Sequence, residues 1–310
     1  MASDARTDAG AGTGTGTDAG TVTAADGAPE EAQRPVALVT GTSTGIGLAT
    51  AVAAAQAGFQ VVATVRRAGS EAELLTTAEA YGVADRVAVR MLDTTDAAAA
   101  ESLVNDVAAQ YGRLDAVVNN AGSGHVGTVE EDSLDAIRAV MEVNYFGVVN
   151  VTKAAMAHLR ASSGSVVTVS SVGGVVGQPF NEAYCAAKFA VEGMMESLHP
   201  VAAAVGVRVV IVEPGPVATS FVDNVGVGES AVRASGPYGE AFDHYIERTR
   251  GAFANAQEAQ GVADVIVGAL IGDDVPLRLQ SSDAATAFAG MKLRDLDGSV
   301  VTGATAGWVV

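Results

Sequence analysis

From residue 35 onward, short apolar runs alternate with longer stretches of helical pattern. The runs at 35–40, 60–65, 86–92, 115–119, 164–170 and 207–213 are rich in Val, Ile and Leu, and read as strands. Strands alternating with helices predict an α/β fold: one doubly wound parallel sheet with helices on both faces. Such sheets bind ligands beyond the carboxyl ends of their strands. The segment 217–257 breaks the rhythm. It carries Phe221, Val222, Val225, Tyr238, Phe242, Tyr245, Ile246 and Phe253, and in a helix Phe242, Tyr245 and Ile246 would share one face. Residues 1–34, with Gly12-Thr13-Gly14-Thr15-Gly16-Thr17 among Ala, Asp and Glu, have no apolar periodicity and read as a disordered tail. The expected organisation is therefore a tail over 1–34, a catalytic domain over 35–310, and a lid at about 217–257.

Candidate chemistry lies at the strand ends. Pro35-Val36-Ala37-Leu38-Val39 is followed by Thr40-Gly41-Thr42-Ser43-Thr44-Gly45-Ile46-Gly47, and then by the alanine-rich helix former Leu48–Ala55. Strand, glycine turn and helix is the context in which free N–H groups at a helix start cradle a phosphate, and Gly41, Gly45 and Gly47 permit close backbone approach. Further on, Tyr184 precedes Lys188 by four positions, which stacks both side chains on one face of a helix. A phenol is a poor acid–base group at neutrality, so a neighbouring ammonium that stabilises the phenolate is the expected partner. Ser171 ends the run at 164–170, where its hydroxyl can align a substrate oxygen, with Ser170 as the alternative.

Glycine turn, Asn119-Asn120-Ala121-Gly122, serine pair and Tyr/Lys pair, in this order, resemble the short-chain dehydrogenase/reductase family of single-domain type, over about residues 35–280. The resemblance implies a Rossmann-type fold. It implies catalysis by Ser171, Tyr184 and Lys188, with Asn144 positioning a water that links the lysine to solvent. It also implies that Gly41, Ser43, Thr44, Gly45, Ile46 and Gly47, with Asn120, Ala121 and Gly122, line the dinucleotide site. Asp93 would lie against the adenine, although capping of the helix starting near 96 competes as its role. Pro214, Gly215, Val217 and Thr219 would close over the nicotinamide, and Lys188 would also hold the ribose hydroxyls. The stretch from Gly177 to Gly193 resembles the 17β-hydroxysteroid and retinol dehydrogenase branch. With the apolar segment 217–257, it implies a bulky hydrophobic ketone, aldehyde or alcohol as substrate.

The second strand ends in Val65-Arg66-Arg67, where an enzyme selective for NAD would present a carboxylate to the ribose. Arg66 and Arg67 can clamp a 2′-phosphate instead, helped by Ser43 or Thr44, so NADP(H) is the preferred cofactor and NAD(H) stays open. An arginine pair that only faces water is the competing reading. The four histidines show no ligand-like clustering, so no metal site is expected.

Composition narrows the classes. The 310 residues, 49% hydrophobic and 17% charged, suffice for one sizeable core. Lys and Arg number 18 against 36 Asp and Glu, and the net charge of −18 opposes binding to nucleic acid or anionic lipid. A single cysteine, Cys185, fits a reducing compartment, and with no secretory pattern and no long apolar span the cytoplasm is expected. Helices near 133–160 and 182–205 are those that pair across subunits in the family, so a homodimer or homotetramer is expected. A dinucleotide-binding regulator of the same fold with weak catalysis is the rival from another class. A nucleotide-sugar epimerase is disfavoured by the glycine spacing.

Overall fold

A computed structural model describes residues 34–219, 226–227, 236–253 and 256–308. The expected tail, apart from Arg34, and Phe221, Val222 and Val225 lie outside these residues.

Seven strands build the central sheet: β1 (Val36–Val39), β2 (Gln60–Val65), β3 (Val87–Met91), β4 (Ala116–Asn119), β5 (Ser165–Val169), β6 (Arg208–Glu213) and β7 (Arg278–Gln280). Their order across the sheet is β7-β6-β5-β4-β1-β2-β3, and every neighbouring pair is parallel. Six of these strands coincide with the apolar runs. The seventh is three residues long, half-buried and sits on the sheet edge, so it carries no apolar run to read.

Side chains alternate across each strand. Ala37 and Val39 of β1 join one core with helices α1 (Gly45–Gln56), α2 (Ala72–Ala80) and α8 (Ala259–Ile271). Val36 and Leu38 join a second core with α3 (Ala97–Tyr111), α5 (Gly147–Ser162) and α6 (Glu182–Ala203). Both faces of the sheet are thus covered, which explains why β1, β2, β4 and β5 are apolar on both sides. The alanines of α1 have a packing purpose: Ala51, Ala54 and Ala55 are wholly buried and let α1 lie close to α8.

Between α4 (Leu134–Met141) and α5, residues Glu142–Phe146 form a π-helical turn. Beyond the sheet, α7 (Gly239–Phe253) lays Phe242, Tyr245 and Ile246 on Val126 and Phe180. Helices α9 (Asp283–Leu293) and α10 (Ser299–Ala306) close the chain. Trp308 then stacks on Phe288 at 5.9 Å and lies 4.6 Å from the Arg248 guanidinium of α7. Among the described residues no helix is long and apolar enough to cross a membrane.

Candidate active site

The carboxyl ends of β1 and β4 meet in the glycine turn. Gly41 and Gly45 have φ of +70° and +61°, a region that side chains disfavour. A Cβ on Gly47 would stand 2.2 Å from the Gly41 carbonyl oxygen, so only glycine fits there. The turn is held from the side by Asn120, whose Nδ2 donates to the carbonyls of Thr40 at 2.9 Å and Gly41 at 3.0 Å. Thr40 Oγ1 in return accepts from the N–H groups of Asn120 and Ala121, both at 3.0 Å. The Asn120 side chain is therefore committed to shaping the turn. Ser43, Thr44 and Ile46 complete the loop into α1, whose first turn carries no acidic residue and whose N-cap, Thr44, does not cap it with its side chain. Its leading N–H groups thus face no competing carboxylate, and the backbone fits a dinucleotide phosphate.

At the end of β5, Ser170 and Ser171 point in different directions. Ser170 is 3% exposed, and a Cβ on Gly174 would lie 2.6 Å from its hydroxyl, which packs it inward towards Glu192. Ser171 caps the short helical turn Val172–Gly174, its Oγ accepting from the Gly173 N–H at 3.0 Å. Its hydroxyl also hydrogen-bonds the Tyr184 phenol. On α6, Lys188 is 5% exposed, donates from Nζ to the Val169 carbonyl at 3.0 Å, and lies 5.8 Å from the centre of the Tyr184 ring.

Asn144, wholly buried, sits in the π-helical turn. Its Nδ2 donates to the carbonyls of Ser123 at 2.9 Å and Val140 at 3.1 Å, while Oδ1 accepts from the Ser123 N–H at 3.2 Å. A Cβ on Gly122 would stand 2.9 Å from Asn144 Oδ1 and 3.8 Å from Lys188 Nζ, so asparagine, glycine and lysine converge at one point. Irregular helix at such a place is a recurring mark of function.

The electrostatics depart from the simple expectation that the ammonium acidifies the phenol. Burial pushes Tyr184 up to about 12, with the Ser171 hydrogen bond opposing that rise. Burial also lowers Lys188 to about 8, against the field of Glu192, which raises it. Loss of solvation disfavours both charged forms and dominates, while Lys188 Nζ spends a hydrogen bond on Val169 rather than on the phenol.

Around the adenine end of the cleft, β2 runs into exposed Arg66 and Arg67, with no acid between them and the strand. Asp93 accepts from the Thr95 N–H at 3.0 Å and the Thr95 hydroxyl at 2.8 Å. These bonds, and more weakly the field of Arg66, hold its carboxyl below the ordinary value. The residue that caps α3 is Asp96, whose Oδ1 accepts from the Ala99 N–H at 2.9 Å, so the capping role considered for Asp93 falls to its neighbour.

At the opposite end, buried Pro214 accepts from the Val172 N–H at 3.0 Å, tying this segment to the serine turn. Gly215 follows, Val217 pairs with Gln257, and a Cβ on Gly45 would meet the Thr219 side chain at 3.0 Å. The segment 214–219 therefore arches over the glycine turn.

Other features escape motif reading. His125 and Asp132 form a half-buried pair at 2.8 Å. Phe180, at φ of +58°, holds an unfavoured conformation between Ser171 and Tyr184, packed edge-on against Phe242 at 5.2 Å. No spacing signals the Asp132 partner of His125 or the backbone of Phe180. Glu192, one helical turn after Lys188, is a group that spacing could have raised.

A crossed sheet end carrying a phosphate-ready turn beside a serine, tyrosine and lysine defines a nucleotide-dependent enzyme of oxidation and reduction. The short chain dehydrogenase profile matches residues 35–229, and the chain belongs to that family. It is similar to mouse 17-beta-hydroxysteroid dehydrogenase type 1, with 34% identity over 274 residues, 85% of this chain and 78% of the relative. It is similar to bovine retinol dehydrogenase 8, with 37% identity over 249 residues, 78% of each. Among solved structures, a variant of actinorhodin polyketide ketoreductase with NADPH aligns with a TM-score of 0.69 and 28% identity, covering 80% of this chain and 96% of that one. The protein is thus an NAD(P)-dependent oxidoreductase acting on CH–OH or C=O groups.

Proposed function

We propose that the protein is an NADPH-dependent reductase of ketones or aldehydes on bulky hydrophobic molecules, oxidising the corresponding alcohols in the reverse direction. One observation carries this reading: the Ser171 hydroxyl, the Tyr184 phenol and the Lys188 ammonium converge at the carboxyl end of β5, beside the glycine turn. Reduced nicotinamide, when bound, would supply the hydride for the carbonyl carbon. Ser171 holds the substrate oxygen by hydrogen bond, and Tyr184 gives that oxygen its proton. In the reverse direction the phenolate takes the hydroxyl proton. Lys188 supplies positive charge beside the phenol, and Asn144 braces Gly122 and the π-helical turn behind it.

The glycine turn and α1 would hold the pyrophosphate, Asp93 the adenine side, and the segment 214–219 the nicotinamide side. Arg66 and Arg67, exposed at the end of β2 with no carboxylate before them, favour the 2′-phosphate form. The apolar face of α7, with Phe180, Phe242 and Tyr245, supports a hydrophobic substrate under a lid, as does the likeness to a steroid and a retinol dehydrogenase.

The test is a panel of steroid, retinoid, aromatic-polyketide and simple aryl ketones, followed by absorbance of the reduced cofactor with NADPH and with NADH. Turnover of hydrophobic ketones is expected, with a preference for NADPH of at least about tenfold, on the scale of one charge-assisted contact. Equal rates with NADH would remove the role given to Arg66.

A further inference from the structure

One turn along α6 from Lys188, Glu192 is 5% exposed and faces Glu213, at the end of β6, which is fully buried. A single nitrogen serves both: Arg278 Nε of β7 lies 3.1 Å from Glu192 Oε2 and 3.3 Å from Glu213 Oε1. The other arm of Arg278 goes to the exposed Glu196 at 2.9 Å, and Gln280 donates to Glu213 Oε2 at 2.9 Å. Glu192 Oε1 and Glu213 Oε1 remain buried without a well-formed hydrogen bond. Two buried carboxylates around one shared guanidinium nitrogen repel each other in a poorly solvated place, which favours uptake of a proton. The charged groups around the pair are Lys188 and Glu196 on α6 and Arg278 on β7.

This joint touches all three pieces of the site. A Cβ on Gly174 would meet Ser170 Oγ at 2.6 Å, Glu192 Cγ at 3.0 Å and the Lys188 carbonyl at 3.2 Å, so the serine turn is seated directly on α6 at Glu192. The same turn is bonded to Pro214, which follows Glu213 in the chain.

We propose that Glu192 and Glu213 hold one proton between them, and that this carboxylic acid–carboxylate pair, neutralised by Arg278, positions Ser171 against Tyr184 and Lys188. Glu192 is then a positioning residue, acting through the serine turn and through the helix that carries the lysine. Burial, the largest cause, and the Glu213 charge push the Glu192 carboxyl up to about 7, against the Ser170 hydroxyl and Arg278. The proposal rests on the catalytic reading of Ser171, Tyr184 and Lys188 for its kinetic consequence, but not for the shared proton itself.

The first experiment is a pH titration of the glutamate side-chain carboxyls by carbon-13 NMR on the resting full-length protein. One glutamate is expected to titrate near neutrality, with its signal absent from Glu192→Gln. If every glutamate titrates in the ordinary carboxylate range, the shared proton is refuted.

The second measures reduction of an aryl ketone with NADPH. A carboxamide N–H can replace the acid proton towards Glu213, so Glu192→Gln is expected to keep kcat within about threefold of wild type. Glu192→Ala is expected to lose more than about tenfold in kcat, with KM for NADPH nearly unchanged. Equal kcat in the two variants, whether retained or lost, overturns the positioning role. If Glu192→Ala does not fold, Glu192→Gln alone decides, and a loss beyond about tenfold overturns it. Failure of the catalytic reading would show separately, as a Tyr184 variant with normal turnover, while the titration would stand.

Discussion

Tyr184 and Lys188 both sit where burial disfavours their charged forms, and this sets the direction in which the site is ready to work. The phenol, at about 12, keeps its proton across the neutral range and is prepared to give it to a carbonyl oxygen. Lys188, at about 8, is an ammonium below that pH and loses its charge above it. In the proposed mechanism, reduction needs both the phenol proton and the ammonium. Its kcat/KM is therefore expected to fall as pH rises through about 8, whereas oxidation, which needs the phenolate, rises with pH. The measurement is the pH dependence of kcat/KM in each direction. A reduction rate unchanged to about pH 9.5 would show that the lysine charge plays no part.

At the scale of elements, α7 and Tyr238 just before it are fastened to residues 180–181 and to Glu130. Phe180 packs on Phe242 and on Tyr245, the Asn181 side chain donates to the Tyr245 hydroxyl at 2.8 Å, and the Tyr238 hydroxyl donates to Glu130 at 2.6 Å. If this face roofs the substrate, Phe242→Ala is expected to raise KM for a steroid or polyketide ketone by about tenfold while moving KM for a small aldehyde far less. Equal effects on both substrates would make the cluster a packing feature only.

Much of this scale was legible beforehand, for physical reasons. Strands buried on both faces must be apolar throughout, so β1, β2, β4, β5 and β6 stood out, the half-exposed edge strand β3 showed by its valines, and the face shared by Phe242, Tyr245 and Ile246 followed from helical spacing. The edge strand Arg278–Gln280 did not, since Arg278 and Gln280 serve Glu192 and Glu213 and Leu279 alone packs on a core. The π-helical turn at Asn144 arises from packing between α4, α5 and α6 and has no local signature. Motif residues announce themselves by type and order. Their surroundings do not, which is why the upward shift of the phenol and the partner of Asp96 emerged only from the folded chain.

At the scale of the whole molecule, Leu134 of α4, Phe146 of the π-helical turn and Phe189 of α6 are 66%, 44% and 40% exposed. Large apolar side chains on adjoining elements are a reason to propose self-association there. Sedimentation of the protein is expected to give at least twice the 31.0 kDa of one chain, and the Phe146→Glu, Phe189→Glu double variant is expected to sediment as a monomer. A monomeric wild type would refute this.

The central claim is that the Tyr184 hydroxyl moves the proton while hydride crosses to or from carbon beside the glycine turn. Its most direct measurement is single-turnover reduction of the best ketone by Tyr184→Phe, paired with NADPH binding by fluorescence. Loss of about a thousandfold in rate, with the dissociation constant for NADPH within about threefold of wild type, is the expected result. A variant that binds NADPH and still reduces the ketone at close to the wild-type rate would contradict the account.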